Sequence, residues 1–389
     1  MKVPLLDLKL QYNSIKDEVE KAMLEVTRSQ MLILGKEVEK LETTLAEYLG
    51  AKYAIGCSSG TDALLMALMA IDIQSGDEVI IPTYSFFATA GVIARLNAIP
   101  VFVDSDPVTY NINTSIIRKA ITKKTKAIMP VHLYGQCAEM DEILAISKEF
   151  NIPVIEDGAQ AIGCQYKDGR MAGSIGLIGC FSFYPTKNLG GFGDGGLVVT
   201  NDEQLADKLR KMRNHGMHPK YYHGFIGGNF RLDALQAAVL NVKYPHLESW
   251  HKARRVNANL YTKYFIESGL AEAEGVLEFN DKNKVWLPKP VYKETGHRNY
   301  HIYNQYVIHV QKRDELRKYL TEKEIGTEVY YPVPFHRQEC FKYLNPVDSF
   351  YPVANAFAEQ TIALPIFPEL TEEQIRYVVE TIKEFYSIQ

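Results

Sequence analysis

The sequence predicts an α/β protein with a mostly parallel central sheet flanked by helices, followed by a smaller α+β unit. Three observations carry this expectation. From about Gly56 to Thr200, apolar runs of strand length alternate with amphipathic segments of helix length, the rhythm of stacked β-α units. Near residue 245 that rhythm stops, and a long polar-faced helical stretch opens a different order of elements. The chain has 389 residues, beyond the roughly 250 to 300 at which single cores stop growing. Two domains are therefore expected, residues 1–245 and 246–389, packed tightly because no repeat or low-complexity linker separates them.

Taken in order, Ala54 to Cys57 reads as a strand, Asp62 to Ile71 as a helix, Glu78 to Ile81 as a strand and Ala88 to Leu96 as a helix. Strands follow at Ile99 to Val103, Ala127 to Val131 and Pro153 to Glu156, the helix Met140 to Phe150 separating the last two. Each is a short apolar run of strand length. After Asp157 come the β-rich pieces CFSFYP and GGLVVTND, then helical patterning at Asp202 to Arg213 and Leu232 to Val242. In the second unit Trp250 to Ser268 reads as a helix, followed by the polar stretch Glu272 to Lys284. HIYNQYVIHV then reads as a strand, DELRKYLTEKEI as a helix, TEVYYPVP as a strand and LTEEQIRYVVETIKEFYSI as a closing amphipathic helix.

Composition narrows the function classes. Lys and Arg total 43 against 47 Asp and Glu, a net charge of −4, so no overall field favours nucleic acid or an anionic membrane. No apolar stretch approaches the roughly 20 residues a bilayer requires, and the first 21 residues turn charged before a signal-peptide core could develop. Five cysteines leave at least one unpaired, and none forms a C-x-x-C pair. A cytoplasmic location is the expectation. His215/His218 and His297/His301 have metal-compatible spacing but no Glu or Cys partner in a known pattern, so no metal is expected.

Four segments point to chemistry. In Ser58-Ser59-Gly60-Thr61-Asp62, a strand end runs through small residues into a helix, where free N–H groups and the helix dipole suit a phosphate; an ordinary cap by Ser59 or Thr61 is the plainer alternative. The cluster Gly190 to Gly196 contains a G-x-G-x-x-G spacing, yet strand-like residues follow it, whereas the dinucleotide fingerprint needs a helix there. A dehydrogenase is thereby disfavoured. Asp157 ends an apolar strand, where open α/β sheets bind ligands; a carboxylate that caps a helix or forms a turn is the plainer alternative. A lone lysine on a loop is usually a solvated charge, but Lys187 lies among aromatic, apolar and glycine residues, a context that would desolvate it and lower its pKa toward nucleophilic use. A phosphate cradle, a carboxylate for a pyridine nitrogen and a lysine for an aldehyde together are what pyridoxal 5′-phosphate asks for.

SSGTDALLMAL, IPTYSFFATA, PVHLYGQ, EDGAQAIG, FSFYPTKNLGGFGDGG, GGNFRLDALQAAVL and LPIFPELTEEQ resemble, in this order and across essentially the whole chain, the DegT/DnrJ/EryC1/StrS sugar aminotransferases of the aspartate aminotransferase superfamily (fold type I). The resemblance implies that Lys187 forms the Schiff base with pyridoxal 5′-phosphate and that Asp157 pairs with its ring nitrogen. It further implies that Gln160 contacts the ring oxygen, that Gly60, Thr61 and Ser182 bind the phosphate, and that Phe86 stacks on the ring. Asn229 would reach the phosphate of the other subunit, making a homodimer with shared active sites. Tyr184, Tyr330, Tyr331 and His336 would border the substrate, although many relatives that aminate C3 of the sugar carry His-Tyr-Pro where this chain has Tyr330-Tyr331-Pro332, which leaves the role of Tyr330 open.

The implied reaction is a two-half-reaction transamination. Glutamate leaves as 2-oxoglutarate, the cofactor passes through the PMP form, and a nucleotide-linked keto sugar is aminated. By resemblance of SFYPTKNLGGFGDGG and HIYNQYVI, that sugar is expected to be a dTDP-3-keto-6-deoxyhexose, giving a dTDP-3-amino-3,6-dideoxyhexose. A 4-aminotransferase acting on a UDP- or dTDP-4-keto sugar is the alternative. A PMP-dependent sugar 3-dehydratase would carry histidine in place of Lys187, and a non-enzymatic regulator would tolerate loss of the constellation, which is complete here.

Overall fold

The computed structural model describes residues 1–275, 277–280 and 283–388; of the expected polar stretch Glu272 to Lys284, positions 276, 281 and 282 lie outside the described residues. Helices α1 (Leu8–Ser29) and α2 (Lys36–Leu49) precede the alternating part. It comprises β1 (Tyr53–Cys57), α3 (Gly60–Ala70), β2 (Glu78–Pro82), α4 (Ala88–Arg95), β3 (Ile99–Val103), α5 (Ile117–Ala120), β4 (Thr125–Ile128), α6 (Met140–Phe150), β5 (Ile155–Asp157), β6 (Ile178–Ser182) and β7 (Gly196–Thr200). Helices α7 (Glu203–Met212), α8 (Ala234–Lys243) and α9 (Leu247–Glu267) lead into β8 (Val285–Trp286), β9 (Tyr306–Val310), α10 (Arg313–Glu322), α11 (Pro352–Gln360), β10 (Thr361–Leu364) and α12 (Glu372–Ser387).

Strands pair in the orders β1-β7-β6-β5 and β3-β2-β4, and parallel bridges from Ile128 to Val154 and from Val131 to Asp157 join the two groups. The result is one run, β1-β7-β6-β5-β4-β2-β3, in which only β7 is antiparallel to its neighbours. Because helices cover both faces, β6 and β7 read as nearly continuous buried runs rather than alternating ones. Helix α3, with Ala63 to Leu68 all buried, packs on β6 and β7. No described helix is long and apolar enough to cross a membrane.

The other sheet, β10-β9-β8, is antiparallel. Its core joins Tyr261 and Phe265 of α9 to Ile375, Val378 and Ile382 of α12, and it also takes in Val3 from the start of the chain, which bridges to Ile325.

One expected strand is absent. TEVYYPVP contributes only an isolated bridge, Glu328 to Ala363. Pro332 and Pro334 have no N–H to donate, and the Tyr330 carbonyl and Tyr331 N–H are claimed by tyrosine hydroxyls instead of a neighbouring strand. Similarly, only the second half of HIYNQYVIHV is a strand, because Ile302 and Asn304 donate their N–H groups to the Gly135 and Tyr134 carbonyls. The edge strand β10, which pairs with β9, was hidden in a segment whose apolar run gives no alternation.

Candidate active site

The carboxyl ends of the parallel strands converge on one edge of the sheet, and β7, being reversed, brings its first residue there: Gly196 pairs with Ser182. At the end of β1, Ser59 caps α3 by accepting the Asp62 N–H at 3.0 Å, so the capping alternative for this segment is realised. Gly60 sits against Ser182: a Cβ at this glycine would come within 2.6 Å of the Ser182 Cβ. That closeness puts the Ser182 hydroxyl beside the start of α3, with Thr61 exposed next to it. The cap and the cradle are thus compatible uses of one helix start.

Asp157, the last residue of β5, is buried. Its Oδ2 accepts the Thr89 hydroxyl at 2.8 Å and its Oδ1 the Ala159 N–H at 3.1 Å, which fixes the plane of the carboxylate. Burial pushes its pKa up, while Thr89, the Ala159 N–H, Lys187 and His132 pull it back. Lys187 follows β6 in a turn, its N–H donating to the Tyr184 carbonyl. The residue as a whole is half-buried, but its amino group is desolvated, which lowers the pKa to about 8 against the opposing pull of Asp157. A desolvated amine coupled to an oriented carboxylate, beside a cradle that a Cβ would fill, fits the lysine, ring-nitrogen and phosphate requirements of pyridoxal phosphate.

Gln160 is buried near the same strand end, its Oε1 accepting the Tyr134 N–H at 2.7 Å and its Nε2 donating to the Tyr331 hydroxyl at 3.0 Å. Phe86 is 56% exposed, its ring centroid 6.0 Å from that of Tyr331. Tyr184 is exposed and Tyr330 half-buried. Asn229 is exposed; its segment runs beside the end of β1 of its own chain, where the Phe230 carbonyl accepts the Ser58 N–H at 3.0 Å.

His336, expected to border the substrate, is buried with both ring nitrogens engaged inside the protein. Nδ1 lies 2.8 Å from the Thr83 hydroxyl, and Nε2 3.0 Å from Asn355 Oδ1 and 3.3 Å from Asp348. The imidazole ties the turn after Pro334 to the end of β2 and has no nitrogen left to offer a ligand.

Sequence reasoning passed over several residues that the fold brings here. His132 accepts the Ala138 N–H on Nδ1 at 3.0 Å, so its ring proton resides on Nε2 and is donated to Glu156 at 2.7 Å. Glu156 also accepts the N–H groups of Gly173 and Ile175 at 2.8 and 2.7 Å, and that of Gly176. Thr89, His132, Tyr84 and Tyr134 all lie in motifs that carry the family resemblance. The available signal was a polar side chain inside an apolar strand-end segment, which does not by itself name a partner.

Residues 13–383 match the family model described as the DegT/DnrJ/EryC1/StrS aminotransferase family. The chain is 50% identical over 386 residues to a "Pleiotropic regulatory protein" of Geobacillus stearothermophilus, covering 99% of each chain. It is 40% identical to the UDP-N-acetyl-3-dehydro-alpha-D-glucosamine 3-aminotransferase of Acidithiobacillus ferrooxidans, covering 98% of this chain and 97% of the other. Among solved structures it resembles Streptomyces venezuelae DesV in complex with a ketimine intermediate, with TM-score 0.89, 38% identity and coverage of 99% and 98%. The chain therefore belongs to the DegT/DnrJ/EryC1/StrS aminotransferase family and is a pyridoxal phosphate-dependent sugar aminotransferase.

Proposed function

We propose that the enzyme transfers an amino group from glutamate to C3 of a nucleotide-linked keto sugar. The observation that carries the chemistry is a desolvated Lys187 within reach of the charge of Asp157, whose carboxylate is held by Thr89 and the Ala159 N–H. When bound, pyridoxal phosphate supplies an aldehyde for Lys187 and a ring that accepts carbanion charge. Asp157 keeps a proton on the ring nitrogen. Gly60, Thr61, Ser182 and the start of α3 hold the phosphate, and Phe86 covers the ring. With its pKa near 8, the Lys187 amine takes a proton from the α-carbon of the donor and, in the second half-reaction, returns one to the sugar carbon; positioned transfer of this kind contributes roughly 10² to 10⁴ in rate.

C3 is favoured by the 40% identical relative named a 3-aminotransferase. The motifs SFYPTKNLGGFGDGG and HIYNQYVI favour a dTDP-linked 3-keto-6-deoxyhexose, while that relative's own substrate name favours a UDP-linked 3-keto sugar as the second reading. Tyr184, Tyr330 and Tyr331 border the sugar, and His336 supports their segment from behind. Asn229 completes the phosphate site of a second copy; in support, Tyr221, Tyr222 and Ile226 of the same segment are each more than 70% exposed. The proposal also divides the chain into residues 1–245 and 246–389, with Val3 stapled to the smaller unit.

Incubating the purified holoenzyme with glutamate and, separately, 3-keto and 4-keto sugars carried on dTDP or UDP tests the assignment. Amino-sugar formation from 3-keto substrates is expected, and turnover confined to 4-keto sugars would overturn it. Loss of the cofactor's visible band on adding glutamate separates an enzyme from a cofactor-binding regulator.

A further inference from the structure

The buried amide of Gln160 is held at both ends. The Tyr134 N–H can only donate, so the atom it meets at 2.7 Å is the amide oxygen, and the amide nitrogen must face the other way. There it donates one hydrogen to the Tyr331 hydroxyl at 3.0 Å. Its second hydrogen is taken by no described residue. Tyr134 alone would fix which end of the amide faces inward; a single anchor leaves the plane free, because this terminal torsion is broad. The second anchor, Tyr331, removes that freedom.

Tyr331 is itself held by an unusual set of partners. The Tyr330 carbonyl accepts the Tyr84 hydroxyl at 2.6 Å and also that of Tyr134, and the Tyr331 N–H donates to the Tyr84 oxygen at 2.7 Å. Tyr84 is fully buried and its oxygen lies 3.1 Å from the Thr361 hydroxyl. Burial pushes the Tyr331 phenol well above its ordinary pKa, so its oxygen is a neutral acceptor for the amide.

We propose that Tyr331 is a positioning residue that fixes the plane of the Gln160 amide and so aims the second N–H at the ring oxygen of pyridoxal phosphate. This rests on the reading, implied by the family resemblance, that Gln160 contacts the ring oxygen. A donor there favours the anionic oxygen, and most strongly once the Lys187–cofactor linkage has lost its proton and no longer supports that oxygen itself. The donor therefore lowers the pH at which the bound cofactor changes colour. Asp157 and Lys187 also face the site, and His132 acts on Asp157; they influence the absolute midpoint, so the quantity read is the shift from wild type.

The experiment is a spectrophotometric pH titration of holoenzyme carrying Tyr331→Phe, Gln160→Ala or both, with Tyr331→Leu as a second way to remove the same oxygen. Tyr331→Phe should raise the midpoint by about one pH unit, the scale of one hydrogen bond to a charged oxygen. Gln160→Ala should raise it at least as far, and the double variant should match Gln160→Ala. A wild-type midpoint in Tyr331→Phe and Tyr331→Leu would overturn the proposal. Additive shifts in the double variant would also overturn it, by showing that Tyr331 acts without Gln160. An unchanged midpoint in Gln160→Ala would overturn both the proposal and the reading of Gln160, whereas a shift there with none at Tyr331 removes the proposal alone.

Discussion

Asp157 and Lys187 show how burial turns ordinary side chains into chemistry. Asp157→Asn keeps the Thr89 and Ala159 geometry nearly intact but removes the charge that protonates a ring nitrogen; turnover should fall by orders of magnitude while cofactor affinity, measured by equilibrium dialysis, changes far less. Near wild-type turnover would reduce Asp157 to a turn residue. Lys187 makes a separate prediction for the cofactor-free protein. Its folded pKa near 8 lies below that of a free lysine, so between about pH 8 and 10.5 the unfolded chain binds more protons and stability rises with pH. Lys187→Met abolishes that rise. Comparing urea unfolding of the two apo proteins at pH 7 and pH 10, the stability difference should move in favour of wild type by on the order of 2 kcal/mol; a pH-independent difference would show the amine to be solvated.

At the scale of elements, Glu156 fastens the loop after β5 to the end of β4. Its carboxylate accepts three backbone N–H groups and the His132 ring proton, all buried except the half-buried Gly176 N–H. A glutamine offers one acceptor oxygen where two are used and turns its NH₂ toward donors. Glu156→Gln should therefore cost about 2 to 4 kcal/mol, seen as a lower urea midpoint, and an unchanged midpoint would mean that water replaces these contacts. The same principle explains the failed strand expectation. TEVYYPVP has the residue types of a strand, but its polar backbone groups are satisfied by Tyr84 and Tyr134, hydroxyls more than 190 residues away in sequence.

For the whole molecule, the proposed shared site predicts complementation. If Asn229 serves the phosphate of the other subunit, Asn229→Ala and Lys187→Ala are lesions in different chains of one site. Co-expression should yield heterodimers with one doubly damaged and one intact site, recovering up to about half of wild-type activity per heterodimer. A verified heterodimer without recovery would place Asn229 in the site of its own chain, beside the Ser58 loop that its segment already borders, and would leave the aminotransferase chemistry untouched.

Much of the fold was legible because periodicity is local. The alternation that predicts β1 through β7 depends on a few consecutive residues, and the G-x-G-x-x-G spacing was rightly set aside because β7 follows it. Lys187, Asp157 and Gly60 could be singled out for a related reason: each departs visibly from its neighbours in size or charge. By itself the sequence determined the α/β class, the family and these candidate residues. Only the tertiary structure decided that His336 spends both nitrogens on Thr83 and Asn355, that Glu156 saturates its carboxylate with loop N–H groups, and that Gln160 is gripped between Tyr134 and Tyr331. Those outcomes depend on hydrogen-bond partners brought together from distant parts of the chain, and a hydrogen bond is directional over a few ångströms, whereas periodicity records only which face of an element avoids water.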